Sequence, residues 1–259
     1  MNRAAAGDEA ATLGAGPWAV VGAGGWGTAL ALALARAGGA VRLWARRPEA
    51  AEALAASREN TVYLAGFRLQ PEIRVTADLS VALAGAAAVI LAVPSAHYRT
   101  VLRRIAPHWT ARVPLISATK GLEPGSLLRM SEVAADVLGP GIAPQHLRQA
   151  VLSGPTFAPE IARGEPAAVV IAAADAALAA ALQTAMSQPA LRLYTSTDVA
   201  GVEIGAAVKN IIAIAAGICD GLGLGGNTRA ALIARGLAEM GRLAEACGGR
   251  RETLAGLAG

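Results

Sequence analysis

The stretch Trp18-Ala-Val-Val-Gly22-Ala-Gly24-Gly25-Trp26-Gly27-Thr28 constrains this chain more than any other. A short apolar run breaks into clustered glycines and reopens as an Ala/Leu-rich segment that runs to Gly38-Gly39. That order reads as a strand, a tight turn and a helix start. With no side chain at Gly22 the turn can be sharp, and with none at Gly24 a pyrophosphate can approach the backbone. Gly27 lets the helix pack closely on its strand, and the unpaired N–H groups of the helix start face the anion. The three glycines fit G-x-G-x-x-G, a weak pattern alone, and a glycine turn without a ligand is the rival reading. Context favours a nucleotide site, because a second apolar run, Ala40-Val-Arg-Leu-Trp44, comes where the next parallel strand belongs.

That second strand ends at Trp44-Ala-Arg46-Arg47-Pro48, and a helix is expected from Glu49 to about Arg58. A site that prefers NAD places an acid on the ribose hydroxyls at this distance from the glycines. Arg46 and Arg47 stand there instead, and two guanidinium groups suit the 2′-phosphate of NADP; plain solvated arginines are the alternative. Ile73–Thr76 reads as a short strand, and Asp78 as the cap of a helix reaching Ala84. Ala86–Val93 is apolar on both faces, as in a parallel sheet, and stops at Pro94-Ser95. His97 follows in the loop and reads as catalytic, structural or simply solvent-facing.

Val113–Ser117 is another buried strand and runs into Ala118-Thr-Lys120-Gly-Leu122. A lysine at a strand mouth lies on the cofactor side of such a sheet, or in solvent. Ala150–Ser153 leads into a rigid turn, Gly154-Pro155-Thr156-Phe157-Ala158. Ala167–Ala172, a helix from Asp175 to Met186 and the strand Leu191–Tyr194 complete the alternation. Seven or eight strands with helices between several of them predict an α/β fold: a Rossmann-like, doubly wound, mainly parallel sheet.

At Thr197-Asp198 the texture changes to helix only. Val199–Ile218 is expected to be helical, with Ile204, Val208, Ile211 or Ile212, and Ala215 on one side, and it carries Lys209-Asn210. Gly221–Gly226 breaks it, Asn227 is a plausible N-cap, and Thr228–Cys247 forms a second helix. The expected division is a disordered tail over 1–16, a dinucleotide-binding domain over 17–198, and the N-terminal part of an incomplete all-α domain over 199–259. Mean hydropathy of +0.44 raises the question of a membrane. The most apolar window, Val199–Cys219, contains Glu203 and Lys209, and a charge at the bilayer centre costs roughly 2.5–3.5 kcal/mol. No transmembrane helix is therefore expected. Asp8 and Glu9 interrupt the apolar core a signal peptide needs. Cys219 and Cys247 lack metal-ligand spacing and read as buried free thiols of a reducing cytoplasm. A dispersed net charge of +4 with 3% aromatic residues disfavours nucleic acid and fits an anionic small molecule.

A dinucleotide fold, a lysine at a strand mouth and a lysine within an apolar helix point to carbonyl reduction. The ketone carbon takes a hydride and its oxygen needs a proton. Lys209 can supply that proton if its Ile, Val and Ala neighbours lower its pKa, with Asn210 orienting the oxygen; a lysine that snorkels into water is the alternative.

Five blocks carry a resemblance: Gly22-Ala-Gly-Gly-Trp-Gly-Thr-Ala-Leu30, Ala118-Thr-Lys-Gly-Leu122, Ser153-Gly-Pro-Thr-Phe-Ala158, Gly205-Ala-Ala-Val-Lys-Asn210 and Ala234-Arg-Gly-Leu-Ala-Glu-Met240. In order and spacing the chain resembles, from about Trp18 onward, the bacterial-type NAD(P)-dependent glycerol-3-phosphate dehydrogenases. The resemblance implies reversible reduction of dihydroxyacetone phosphate to sn-glycerol 3-phosphate for phospholipid synthesis. A cytoplasmic location, from the cysteines, and a possible homodimer are expected beside it. It makes Lys209 the proton-transferring lysine and Lys120 a contact of both cofactor and substrate. Gly154, Thr156 and Asn210 become substrate contacts, while Gly25, Trp26, Arg46, Arg47 and Ala158 join the glycines as cofactor contacts. In the family, the Ala-Gly matching Ala258-Gly259 precedes a Leu-Gly-Asp and a later Arg-Asn pair that holds the substrate phosphate; the sequence stops short of both. A cofactor-binding module without turnover, or a dehydrogenase for another small phosphorylated or carboxylated substrate, are the competing expectations.

Overall fold

A computed structural model describes residues 13, 16–142 and 146–257. Most of the tail expected to be disordered lies outside them. Strand β1 (Trp18–Val21) is fully buried at the centre of an eight-stranded sheet, between β2 (Val41–Trp44) and β6 (Ala88–Leu91), both parallel to it. Beyond β2 lies β5 (Ile73–Thr76); beyond β6 come β7 (Leu115–Ser117), β8 (Gln149–Ser153), β9 (Ala167–Ala172) and β10 (Leu191–Ser196). All pairings are parallel except β8 with β9. The apolar runs read as strands therefore form the expected Rossmann-like, mainly parallel sheet, because both of its faces are covered. One face packs helix α1 (Gly25–Arg36) and a core including Val20, Leu30, Leu43, Ile90 and Ile116. The other packs Val21, Trp44, Leu91 and Leu115 against Leu79, Tyr98, Leu102 and Val133.

The helices between strands are α2 (Pro48–Ser57), α3 (Leu79–Leu83), α4 (Ser95–Ile105), α5 (Met130–Leu138), α6 (Ala158–Arg163) and α7 (Ala176–Met186). Asp78 caps α3 and Asp175 caps α7, each accepting a hydrogen bond from the N–H two residues on. The sequence reading passed over α4, α5 and α6, and also over a small antiparallel hairpin, β3 (Glu59–Asn60) with β4 (Leu64–Arg68).

The chain then becomes helical: α8 (Val199–Gly221), α9 (Gly226–Ala246) and the short α10 (Arg251–Leu254). Of the alternatives on α8, Ile212 packs with Ile204, Val208, Met240 and Ala244, whereas Ile211 faces out. Two expectations need correction. Asn227 lies inside α9, whose N-cap is Gly225; two glycines in succession let the backbone enter the helix without a side-chain cap. Cys247 is exposed and Cys219 only half-buried, because Cys247 is the C-cap beyond the end of α9 and that face of α8 is uncovered. As for the membrane question, α8 passes a test of length and composition alone, as the core helix of a soluble protein also can. Its first two turns are nevertheless engaged by protein: Val202 packs on Val151 and Val170 of the sheet, and Glu203 is buried in an ion pair.

Candidate active site

The sheet order turns back on itself at β1. The chain steps outward from β1 to β2 and β5, then returns to β6 and steps outward the other way. Ligands of open α/β sheets collect beyond the carboxyl ends of the strands at such a switch point. A cleft of about 600 Å³ lies there, lined by Gly22–Gly24 after β1, Trp44–Arg47 after β2 and Ala92–Pro94 after β6. Arg46 and Arg47 are exposed in its wall, and so is His97.

The glycine turn is shaped by close backbone contacts. Gly22 has φ 120°, and a Cβ there would sit 2.4 Å from the Ala92 carbonyl oxygen. A Cβ at Gly27 would sit 1.8 Å from the Gly22 carbonyl oxygen. Gly24 faces open space and is the N-cap of α1. The helix start has no side-chain cap and no acid in its first turn, so its N–H groups remain for an anion. The hairpin closes over the turn through Asn60. Its side-chain amide donates to the Ala23 carbonyl (3.0 Å) and to Thr28 Oγ1 (2.8 Å), and its Oδ1 accepts from the Tyr63 N–H. A cradle closed to side chains on two sides and open over Gly24 fits a dinucleotide pyrophosphate.

Beside the cradle stand the only two lysines among the chain's 23 basic residues, Lys120 and Lys209. Lys120 follows β7, and Thr119 fixes that strand end by donating to the Val93 carbonyl at 2.8 Å. The Lys120 ammonium lies 6.0 Å from the centre of the Trp26 ring, which places it next to the glycine turn. It donates to Thr156 Oγ1 (3.0 Å) and to the Gly154 carbonyl (3.3 Å). Lys209, from the middle of α8, donates to the same carbonyl at 3.0 Å. Gly154 is buried, with φ 155°, and a Cβ there would press on the Val169 backbone at 2.9 Å. Glycine at 154 thus lets this turn pack directly against β9 while its carbonyl accepts from both ammonium groups.

Two cations sharing one carbonyl are under-neutralised. Burial, and then the charge of Lys120, lowers the Lys209 pKa to about 8. Burial also holds Lys120 below its ordinary value. Such a pair attracts an anion and can stabilise charge that develops on an oxygen, and Lys209 can give up a proton near neutral pH.

The structure thus brings together Lys120, Gly154, Thr156 and Lys209, with Trp26 alongside. Ala158, at the start of α6, lies next to Gly25, whose added Cβ would come within 3.8 Å of the alanine Cβ. Asn210 is exposed; as the residue after Lys209 it projects from α8 about 100° round the helix from it. The sequence reading missed Asn60, whose signal is faint: a polar residue before an aromatic-containing run, with partners far away in sequence. Among the described residues no group of three or more His, Cys, Asp or Glu could hold a metal.

Residues 17–179 match the family model described as NAD-dependent glycerol-3-phosphate dehydrogenase N-terminus, and residues 198–259 match the model of its C-terminus. A glycerol-3-phosphate dehydrogenase (NAD(P)+) of Rhodospirillum rubrum is 54% identical over 241 residues, covering 93% of this chain and 67% of that protein. One from Koribacter versatilis is 50% identical over 242 residues, covering 93% and 71%. The crystal structure of glycerol-3-phosphate dehydrogenase from Coxiella burnetii superposes with a TM-score of 0.86 at 41% identity, covering 94% of this chain and 73% of that one.

Proposed function

The chain belongs to the NAD-dependent glycerol-3-phosphate dehydrogenase family, and from that premise we propose that it interconverts dihydroxyacetone phosphate and sn-glycerol 3-phosphate with NAD(P)H, for glycerophospholipid synthesis. The observation that carries the reading is the meeting of Lys120 and Lys209 at the Gly154 carbonyl, beside a dinucleotide cradle. When bound, the reduced nicotinamide supplies the hydride that the C2 carbonyl carbon takes up. The Lys209 ammonium donates a proton to the C2 oxygen as the carbon–oxygen double bond becomes single, and the alcohol leaves Lys209 as a neutral amine. Lys120 holds charge next to both ligands and keeps Lys209 acidic. Thr156 and the Gly154 carbonyl orient the two ammonium groups. Gly22, Gly24, Gly25 and Gly27 hold the pyrophosphate with the N–H groups that open α1, Trp26 and Ala158 flank it, and Arg46 and Arg47 meet a 2′-phosphate. Asn210 belongs to the substrate side in this reading, although its side chain is exposed in the described structure. We further propose a division at residue 198, supported by the start of α8 at Val199 and of the second family match at 198.

The test is the fall in nicotinamide absorbance when the purified chain is mixed with dihydroxyacetone phosphate and NADPH or, separately, NADH. The expected result is a substrate-dependent fall, faster at limiting concentration with NADPH. A cofactor that binds while its absorbance holds steady would leave only a nucleotide-binding role.

A further inference from the structure

Glu203 is only 4% exposed, yet it is a carboxylate in the second turn of an apolar helix. It spans two parts of the molecule. One oxygen accepts from the Ser131 N–H at 2.7 Å. The other accepts from the Ser131 hydroxyl and from Arg129 Nη1, the latter at 3.1 Å. Ser131 is the second residue of α5, so the carboxylate also meets the positive end of that helix. Burial raises the Glu203 pKa, and the bonds from Ser131 and Arg129 oppose that rise. Arg129 is engaged in turn by Glu132 at 2.8 Å.

The position of this contact in the chain is what matters. The segment entering α5 is the continuation of the loop that begins at Lys120, and Arg99 of α4 grips that loop through a two-pronged bond to Glu123 (2.7 and 2.9 Å). Lys209 lies less than two turns beyond Glu203 on α8. An apolar helix face sliding over a sheet has no strong preference for one position, whereas a carboxylate seated on three fixed donors does.

We propose that Glu203 is a positioning residue that sets the spacing between Lys120 and Lys209 by locking α8 to the segment running on from Lys120. This rests on the reading of the two lysines as the reactive pair. It requires that loosening the Glu203 seat releases Lys209 from the Gly154 carbonyl and from Lys120 without unfolding the chain.

The chain's two lysines make a direct test possible. Reductive 13C-methylation of the full chain labels Lys120, Lys209 and the N-terminal amine, and each signal is titrated by NMR. In the unsubstituted protein Lys209 is expected to titrate near 8, the value its setting imposes. In Glu203→Ala its titration should rise by at least about one pH unit, a tenfold gain in proton affinity, with cooperative thermal unfolding retained. Glu203→Gln keeps an acceptor for the Ser131 N–H and should give a smaller rise in the same direction; it carries the test if the alanine variant does not fold. Lys209 titration within about 0.2 units of the parent in either folded variant would overturn the proposal, and so would loss of the fold in both variants. An ordinary lysine titration in the unsubstituted protein would instead remove the premise, the reactive pair itself.

Discussion

A lysine and an arginine carry the same charge but not the same chemistry. Arginine stays protonated in any protein setting, whereas lysine shifts readily when its ammonium is buried. A chain that uses arginine at nearly every basic position keeps lysine at the two where an ammonium must share a carbonyl with another. The consequence for pH follows from the sign of the shift. With the Lys209 pKa lowered to about 8, the ammonium that gives the proton is the major form below that pH and is lost above it. Ketone reduction should therefore decline as pH rises through about 8, while alcohol oxidation, which needs the neutral amine, should increase across the same range. Rate profiles in the two directions check this. Lys209→Arg retains the charge but cannot release the proton, so kcat should fall by about 10²–10⁴-fold, with the dissociation constant for NADPH unchanged within about twofold by titration. The apolar neighbours that lower this pKa were legible in the sequence as Ile, Val and Ala around Lys209. The part played by Lys120 was not, because two residues so distant along the chain meet only through the fold.

Among the elements, the strand–turn–helix around the glycines was the most legible, since its signal is local: apolar run, glycine spacing, helix former. The structure adds why two of these glycines are needed. Gly22 and Gly27 are excluded from carrying a Cβ by backbone oxygens, which cannot move aside as a side chain can. The hairpin above the turn was not legible, because Asn60 works through partners from β1's turn and α1. Two substitutions separate these contributions. Gly27→Ala forces the turn from α1 and should destabilise the fold by about 1–3 kcal/mol and abolish NADPH binding. Asn60→Ala leaves the buried Thr28 hydroxyl and the Ala23 carbonyl without their donor, at a cost of about 1–3 kcal/mol. It should weaken NADPH binding while the chain stays folded. Thermal melts and an NADPH titration on both variants distinguish a broken cradle from a loosened cover.

For the whole molecule, the question is what attaches the helical part to the sheet. The alternation of strand and helix, and its end near residue 198, were legible in composition. The order of strands and the antiparallel pairing of β8 with β9 were not, since pairing partners are chosen across long stretches of chain. Nor was the uncovered face of α8, where Ile211, Ile214 and Ile218 are exposed. With that face contributing little burial, polar anchors carry more of the attachment. Asp198 is one of them. It accepts from the Gly201 N–H at 2.9 Å, from the Arg250 N–H at 2.8 Å and from the Thr253 hydroxyl, so one buried carboxylate caps α8 and holds the start of α10. Burial works against its charge, but the bonds from Thr253, Gly201 and Arg250 outweigh it and keep the pKa below the ordinary 3.8. A carboxylate with a lowered folded pKa contributes stability that is complete above its unfolded pKa and is lost as pH falls through the folded one. Asp198→Asn keeps the size and one acceptor oxygen but removes the charge, and should cost about 1.5–3 kcal/mol at neutral pH. At a pH below its lowered folded pKa the parent carboxylate is itself protonated, and the two proteins should melt together. Denaturant melts of both chains at pH 7 and at the acid end check this: a gap that persists unchanged in acid would mean that Asp198 acts by shape, as a cap, and that its charge does not join α10 to the start of α8.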